Sequence, residues 1–97
     1  MANQVSEKHW HLVELYQNCP PPMHPAQFLQ HWEVDYPSLS RLLKISRSTI
    51  EHWFIQGSSY REPGAIYCRR LGEIHFLWSN ADRITPELIQ LWCNSCK

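Results

Sequence analysis

The fold turns on one stretch, Leu39-Ser40-Arg41-Leu42-Leu43-Lys44-Ile45-Ser46-Arg47-Ser48-Thr49-Ile50-Glu51-His52-Trp53. Leu39 and Leu43 lie one helical turn apart and can bury a first helix against the rest of the chain. Ser40 is small enough to let a second helix cross closely over the first. Ile45 supplies an apolar plug between them, and Ser46 has the side chain that accepts from the free amides of a helix start. Ile50 and Trp53 then bury the second helix, which spans about 46–55. On that phasing Arg47, Ser48, Thr49, Glu51 and His52 stand outside or at the margin.

Working outward, helical spacing recurs and no stretch sustains the alternation of a half-buried strand. A first helix, 5–17, starts at a Ser6 cap and carries Val5, Trp10, Leu12, Val13, Leu15 and Tyr16 on one broad face. The run Cys19-Pro20-Pro21-Pro22 ends it, since proline lacks an N–H and restricts its predecessor. Pro25 suits the first turn of a second helix, 25–33, with Phe28, Leu29 and Trp32 inward. Asp35 caps the third, which starts around Pro37. Ile50, Trp53 and Phe54 form the inward stripe of the fourth, and Gly57 stops it. A fifth, 63–78, begins at Pro63 and places Ile66, Tyr67, Leu71, Ile74 and Trp78 three or four apart. Thr85-Pro86-Glu87 opens a sixth, 86–93, with Leu88, Leu91 and Trp92 on one side. The expectation is an all-α, compact bundle of five to six short helices in one domain, residues 1–97, with its core motif at 36–57.

Ninety-seven residues suit one domain, and 43% hydrophobic residues supply a core for it. The longest apolar run near the C-terminus, Phe76-Leu77-Trp78, is far too short to span a membrane. Residues 1–10 are polar, which predicts no secretory leader and a cytoplasmic location. The formal net charge is zero, but it is unevenly spread. Residues 1–40 carry −3, residues 41–70 carry +4 and residues 71–97 carry −1. A basic block in the middle of the chain fits a phosphate-facing surface.

The central stretch resembles the helix-turn-helix of the phage-repressor, or Cro/Xre-like, family of DNA-binding domains. The resemblance covers about residues 25–78, because Gly57, Arg61, Pro63 and Leu71 also match in kind the family's glycine, basic residue, proline and following helix. Two positions depart from it. Lys44 stands where the family favours a left-handed glycine, and Phe54-Ile55 stands where relatives often carry charge. The resemblance implies a small transcriptional regulator that places helix 46–55 in the major groove of double-stranded DNA. Arg47, Ser48, Thr49, Glu51 and His52 would then face base edges, arginine pairing bidentately with guanine and glutamate accepting from a cytosine amine. Arg41, Lys44, Ser58, Ser59, Tyr60 and Arg61 would hold phosphates, which fixes register without reading sequence.

The alternative is an adaptor that uses the same fold to hold a protein and not DNA. The two readings differ in what they expose. A DNA binder shows positive charge around Arg41, Arg47 and Arg61; an adaptor shows an aromatic patch such as Phe54, Tyr60 and Tyr67. No nucleophile, base and oxyanion donors assemble in the sequence, and there is no glycine-rich phosphate loop, so an enzyme is not expected. No cofactor is expected either. Cys93-x-x-Cys96 is half of a zinc knuckle without its other half, and four cysteines in a chain with no leader read as free thiols before disulfides. The tryptophans Trp32, Trp53, Trp78 and Trp92 read as core. One recognition helix covers few base pairs, which favours a homodimer reading two half-sites through its flanking helices.

Overall fold

The computed structural model describes residues 3–94 as six helices, with no strand among them. They are α1 (Glu7–Asn18), α2 (Pro25–His31), α3 (Tyr36–Leu43), α4 (Arg47–Phe54), α5 (Ala65–Ser79) and α6 (Pro86–Asn94). The all-α class and the helix order agree with the sequence reading. No described helix is long and apolar enough to cross a membrane. Cys96 and Lys97 lie outside the described residues, so the Cys93-x-x-Cys96 pair is not described as a unit.

Local chemistry explains five of the six starts; at α5 the cap residue is Gly64, with no side chain to accept. The Ser6 amide donates to Nδ1 of His9, 3.0 Å away, at the head of α1. His24 caps α2 by accepting from the Ala26 amide at 3.0 Å, with Pro25 in the first turn. Asp35 caps α3 by accepting from the Ser38 amide at 2.9 Å, and Ser46 caps α4 by accepting from Thr49 at 3.2 Å. Thr85 Oγ1 accepts from the Leu88 amide at 3.2 Å to open α6.

The core lies between α2, α3, α4 and α5. Met23, Phe28, Leu39, Leu43, Ile50, Trp53, Leu71 and Ile74 are buried there, with α3 packed on α4 and α2 on α5. Pro25, Pro63 and Gly72 are buried as well. Gly72 has a specific reason: a Cβ at this point of α5 would collide with the carbonyl oxygen of Pro21. The proline strap therefore crosses α5 at the one residue without a side chain, and the next contact, Met23 N–H to the Cys68 carbonyl at 2.9 Å, holds it there. Beside the core, Trp78 leans on Phe28 at 5.7 Å and on Trp32 at 5.1 Å between ring centroids. The Trp32 indole Nε1 donates to His75 Nδ1 at 2.9 Å.

Several expectations about burial are corrected. Of the four tryptophans read as core only Trp53 is buried. Trp32 is half-buried, Trp78 stands at the rim of the core, and Trp92 is 60% exposed. Ile66, expected on the inner stripe of α5, is 74% exposed. Neither α1 nor α6 buries a single described side chain. The reason is that four helices already satisfy so small a core, so amphipathic spacing at either end finds no inner face to fill. The end helices touch each other instead. Tyr16 meets Trp92 edge-on at 6.2 Å, and Arg69 of α5 lies over the Tyr16 ring at 5.8 Å while its Nη1 donates to the Gln17 carbonyl at 3.4 Å. The molecule measures 56 × 26 × 25 Å.

Candidate nucleic-acid interface

The connection between α3 and α4 is the three residues Lys44, Ile45 and Ser46. Lys44 turns the chain in the left-handed region, with φ 56° and ψ 45°. A side chain there costs about 1–2 kcal/mol relative to the right-handed conformation, so neighbouring contacts must hold it. They do: the Lys44 and Ile45 amides both return to the Ser40 carbonyl, and the Ser40 hydroxyl donates to the Ile45 carbonyl. Ser40 thus does more than leave room for a helix crossing. Ile45 sits half-buried against the core.

This turn sets the phase of α4. Ile50 and Trp53 are buried, Arg47, Ser48, Thr49 and Glu51 are exposed, and His52 is half-buried. Arg47 Nε lies 3.8 Å from Glu51 Oε1, one turn along the helix. Both side chains are largely open to water, so the pair is worth only a few tenths of a kcal/mol, and it aligns the guanidinium more than it stabilises the fold. Thr49 and Ser46 share their hydroxyls at 2.8 Å, which commits Thr49 in part to the helix cap.

His52 holds the loop that follows. Its Nδ1 lies 2.8 Å from the Ser59 carbonyl, and its own carbonyl accepts from the Arg61 amide at 2.9 Å. Gly57 makes the turn with φ 95°, a conformation that needs glycine, and the Tyr60 amide closes it on the Gly57 carbonyl at 3.1 Å. Arg61 Nη1 donates to the carbonyls of Tyr60 and Ser58, at 3.1 and 3.4 Å. Ser58, Ser59, Tyr60 and Arg61 are all exposed on this loop. Arg41 in the last turn of α3 and Lys44 after it are exposed too. The fold therefore ties the 57–61 loop to α4, and it presents Arg41 and Lys44 just ahead of the helix.

The aromatic alternative fares differently. Phe54 is half-buried and stacked on Tyr36 at 5.1 Å and 18°, and Tyr67 is half-buried against Trp53 at 5.7 Å. Of the three aromatics expected on an adaptor face, Tyr60 alone is exposed. Burial pushes the Cys68 thiol above its ordinary range, with the Glu62 charge adding to it, so this cysteine is a poor nucleophile at neutral pH. Among the described residues no three His, Cys, Asp or Glu side chains gather as a metal site.

No protein-family model, curated protein or solved structure matches the chain. Two features of the region were not read from sequence: the His52–Ser59 clasp and the Ser40–Ile45 staple. Both join a side chain to a backbone carbonyl, and neither has a residue-type signature at the acceptor.

Proposed function

We propose that the chain is a sequence-specific double-stranded DNA-binding protein, a small cytoplasmic transcriptional regulator that seats α4 in the major groove. It acts by occupying a site and not by catalysing a reaction. The observation that carries this reading is the division of α4 into two sides. Ile50 and Trp53 anchor one side in the core, while Arg47, Ser48 and Glu51 stand open on the other. A helix fits the major groove, and an arginine steadied by a neighbouring glutamate is suited to guanine O6 and N7. Lys44 just before α4 and the Ser58–Arg61 loop just after it are exposed and supply phosphate contacts. Arg41 of the last turn of α3 adds another from the preceding helix, and these set the register of the helix.

The exposed end helices favour a second part to the reading, that a second copy of the chain docks on them. Trp10, Leu12, Leu15, Leu88, Leu91 and Trp92 are each more than half exposed. A standard interface buries on the order of 800 Å² per partner, and apolar side chains of this kind are what its core is made of. A twofold dimer through this face reads two half-sites and doubles the few cations that one copy brings to the backbone.

Selection from a pool of random duplexes, followed by titration of the enriched duplex against salt, tests the DNA reading. A defined site should emerge. Its affinity should fall with salt at a logarithmic slope near −0.9 for each phosphate neutralised. Absence of any enriched sequence overturns it. Sedimentation across a concentration series tests the pairing, with Leu91→Asp expected to leave a monomer; a wild-type monomer at every concentration, with and without DNA, removes the dimer.

A further inference from the structure

The fold holds the His52 ring in one tautomer. Its Nδ1 lies 2.8 Å from the Ser59 carbonyl oxygen, and a carbonyl oxygen only accepts. Nδ1 therefore carries the hydrogen. In the neutral ring Nε2 is then a hydrogen-bond acceptor with no hydrogen of its own. No protein partner takes it among the described residues. Turning the ring over would give up the Ser59 bond, at a residue whose own carbonyl is already tied to the loop by the Arg61 amide.

We infer that His52 selects a base that presents a donor, the exocyclic amine of adenine or cytosine, and that protonation of the ring reverses this selection. The inference rests on the DNA reading above and names what that site recognises. In the major groove adenine shows its N6 amine and cytosine its N4 amine, whereas guanine shows N7 and O6 and thymine shows O4, all acceptors. A neutral Nε2 facing guanine or thymine sets lone pair against lone pair. Protonation adds a hydrogen at Nε2 and leaves Nδ1–H on the Ser59 carbonyl, because imidazolium donates from both nitrogens. The clasp survives, and only the sense of the free nitrogen changes. The charged or titratable residues adjoining His52 and Ser59 in the chain are Glu51 on α4, engaged by Arg47, and Tyr60, Arg61 and Glu62 on the loop, with the Arg61 guanidinium held by backbone carbonyls. None of them is hydrogen-bonded to the ring, whose partner is the Ser59 carbonyl.

The test is duplex selection at about pH 8 and about pH 5.5, on the full chain and on His52→Gln. At the higher pH one position of the selected site should favour adenine or cytosine roughly tenfold over guanine, the low end of what a base-edge contact discriminates. At the lower pH that position should move to guanine or thymine. His52→Gln, whose amide can donate or accept, should bind without the shift. Nitrogen-15 spectra of the free protein give a readout that does not need DNA: His52 should show the Nδ1–H tautomer above neutral pH. An Nε2–H tautomer, an unchanged site at both pH values, or a shift that persists in His52→Gln overturns the inference. A site that forms but does not shift sinks this role alone; no site at either pH sinks the DNA reading and this inference with it.

Discussion

The indole nitrogen of Trp32 donates to Nδ1 of His75 at 2.9 Å, joining the residue that ends α2 to the second half of α5. An indole N–H only donates, so His75 accepts here as a neutral ring with its hydrogen on Nε2. The bond ties together two helices that share the core through Phe28, Leu71 and Ile74, and His31 lies against the same imidazole at 5.1 Å between centroids. Trp32→Phe keeps a ring beside Trp78 and removes the donor. It is expected to cost about 0.5–1.5 kcal/mol in denaturant unfolding, the net worth of one such bond. Adding His75→Leu should then cost less than in the wild type. Strictly additive losses would show that the bond contributes nothing.

Gly72→Ala probes the proline strap. Alanine is the better helix former by about 1 kcal/mol, and by propensity alone the change should stabilise α5. The new Cβ meets the Pro21 carbonyl, which is backbone and cannot swing aside. Overpacking of this kind costs about 1–3 kcal/mol, so a net loss of stability is expected in thermal or denaturant unfolding. A stabilised variant would mean that the strap does not lie on α5.

Asp35 gives the fold a pH dependence of known sign. Hydrogen bonds from Ser38, side chain and amide, hold its carboxyl below the ordinary carboxylate value, with Arg41 adding a smaller pull in the same direction. A folded value below the unfolded one, which is about 3.9, makes the cap stabilising above that pH. Its contribution fades as pH falls through the folded value. Asp35→Ala should therefore melt below the wild type at neutral pH, and the gap should close in strong acid. A gap independent of pH would assign the loss to something other than the charged cap.

Arg47→Ala addresses the site. The guanidinium is exposed at the first position of α4 and aligned by Glu51 at 3.8 Å. If it pairs with guanine, its removal should lower specific DNA affinity by about 1–3 kcal/mol and relax selection at one base position. The fold should be untouched, since the ion pair it loses lies on the surface. Arg41→Ala, at a phosphate position, should instead weaken all duplexes alike and flatten the salt dependence by about one unit of slope. Equal effects of the two substitutions on base preference would undo the division between reading and holding.

Helix existence and order were legible because caps and breakers act locally. Asp35 and Ser46 accept from amides three residues on, and Pro25 and Pro86 begin their helices. The same holds for the phase of α4, since Leu39, Leu43, Ile50 and Trp53 are spaced so that the two helices can bury them against each other and the core. The exposed candidates Arg47, Ser48 and Glu51 follow from that phase. Lys44 adopts φ 56° at the turn position where the resemblance to a helix-turn-helix implies a left-handed residue.

Tertiary structure decided what spacing leaves open, namely which apolar faces find a partner. Trp53 and Trp92 both sit at helical apolar positions, yet one is 4% exposed and the other 60%. Helical periodicity marks a face without saying what covers it, and four helices exhaust this core before α1 and α6 reach it. The same is true of bonds to backbone carbonyls. His52 reaches Ser59 because Gly57 turns the chain back, and Gly72 is small because the Pro21 carbonyl arrives there from a distant part of the chain. Every residue has a carbonyl, so sequence cannot say which one a side chain meets; only the path of the folded backbone does.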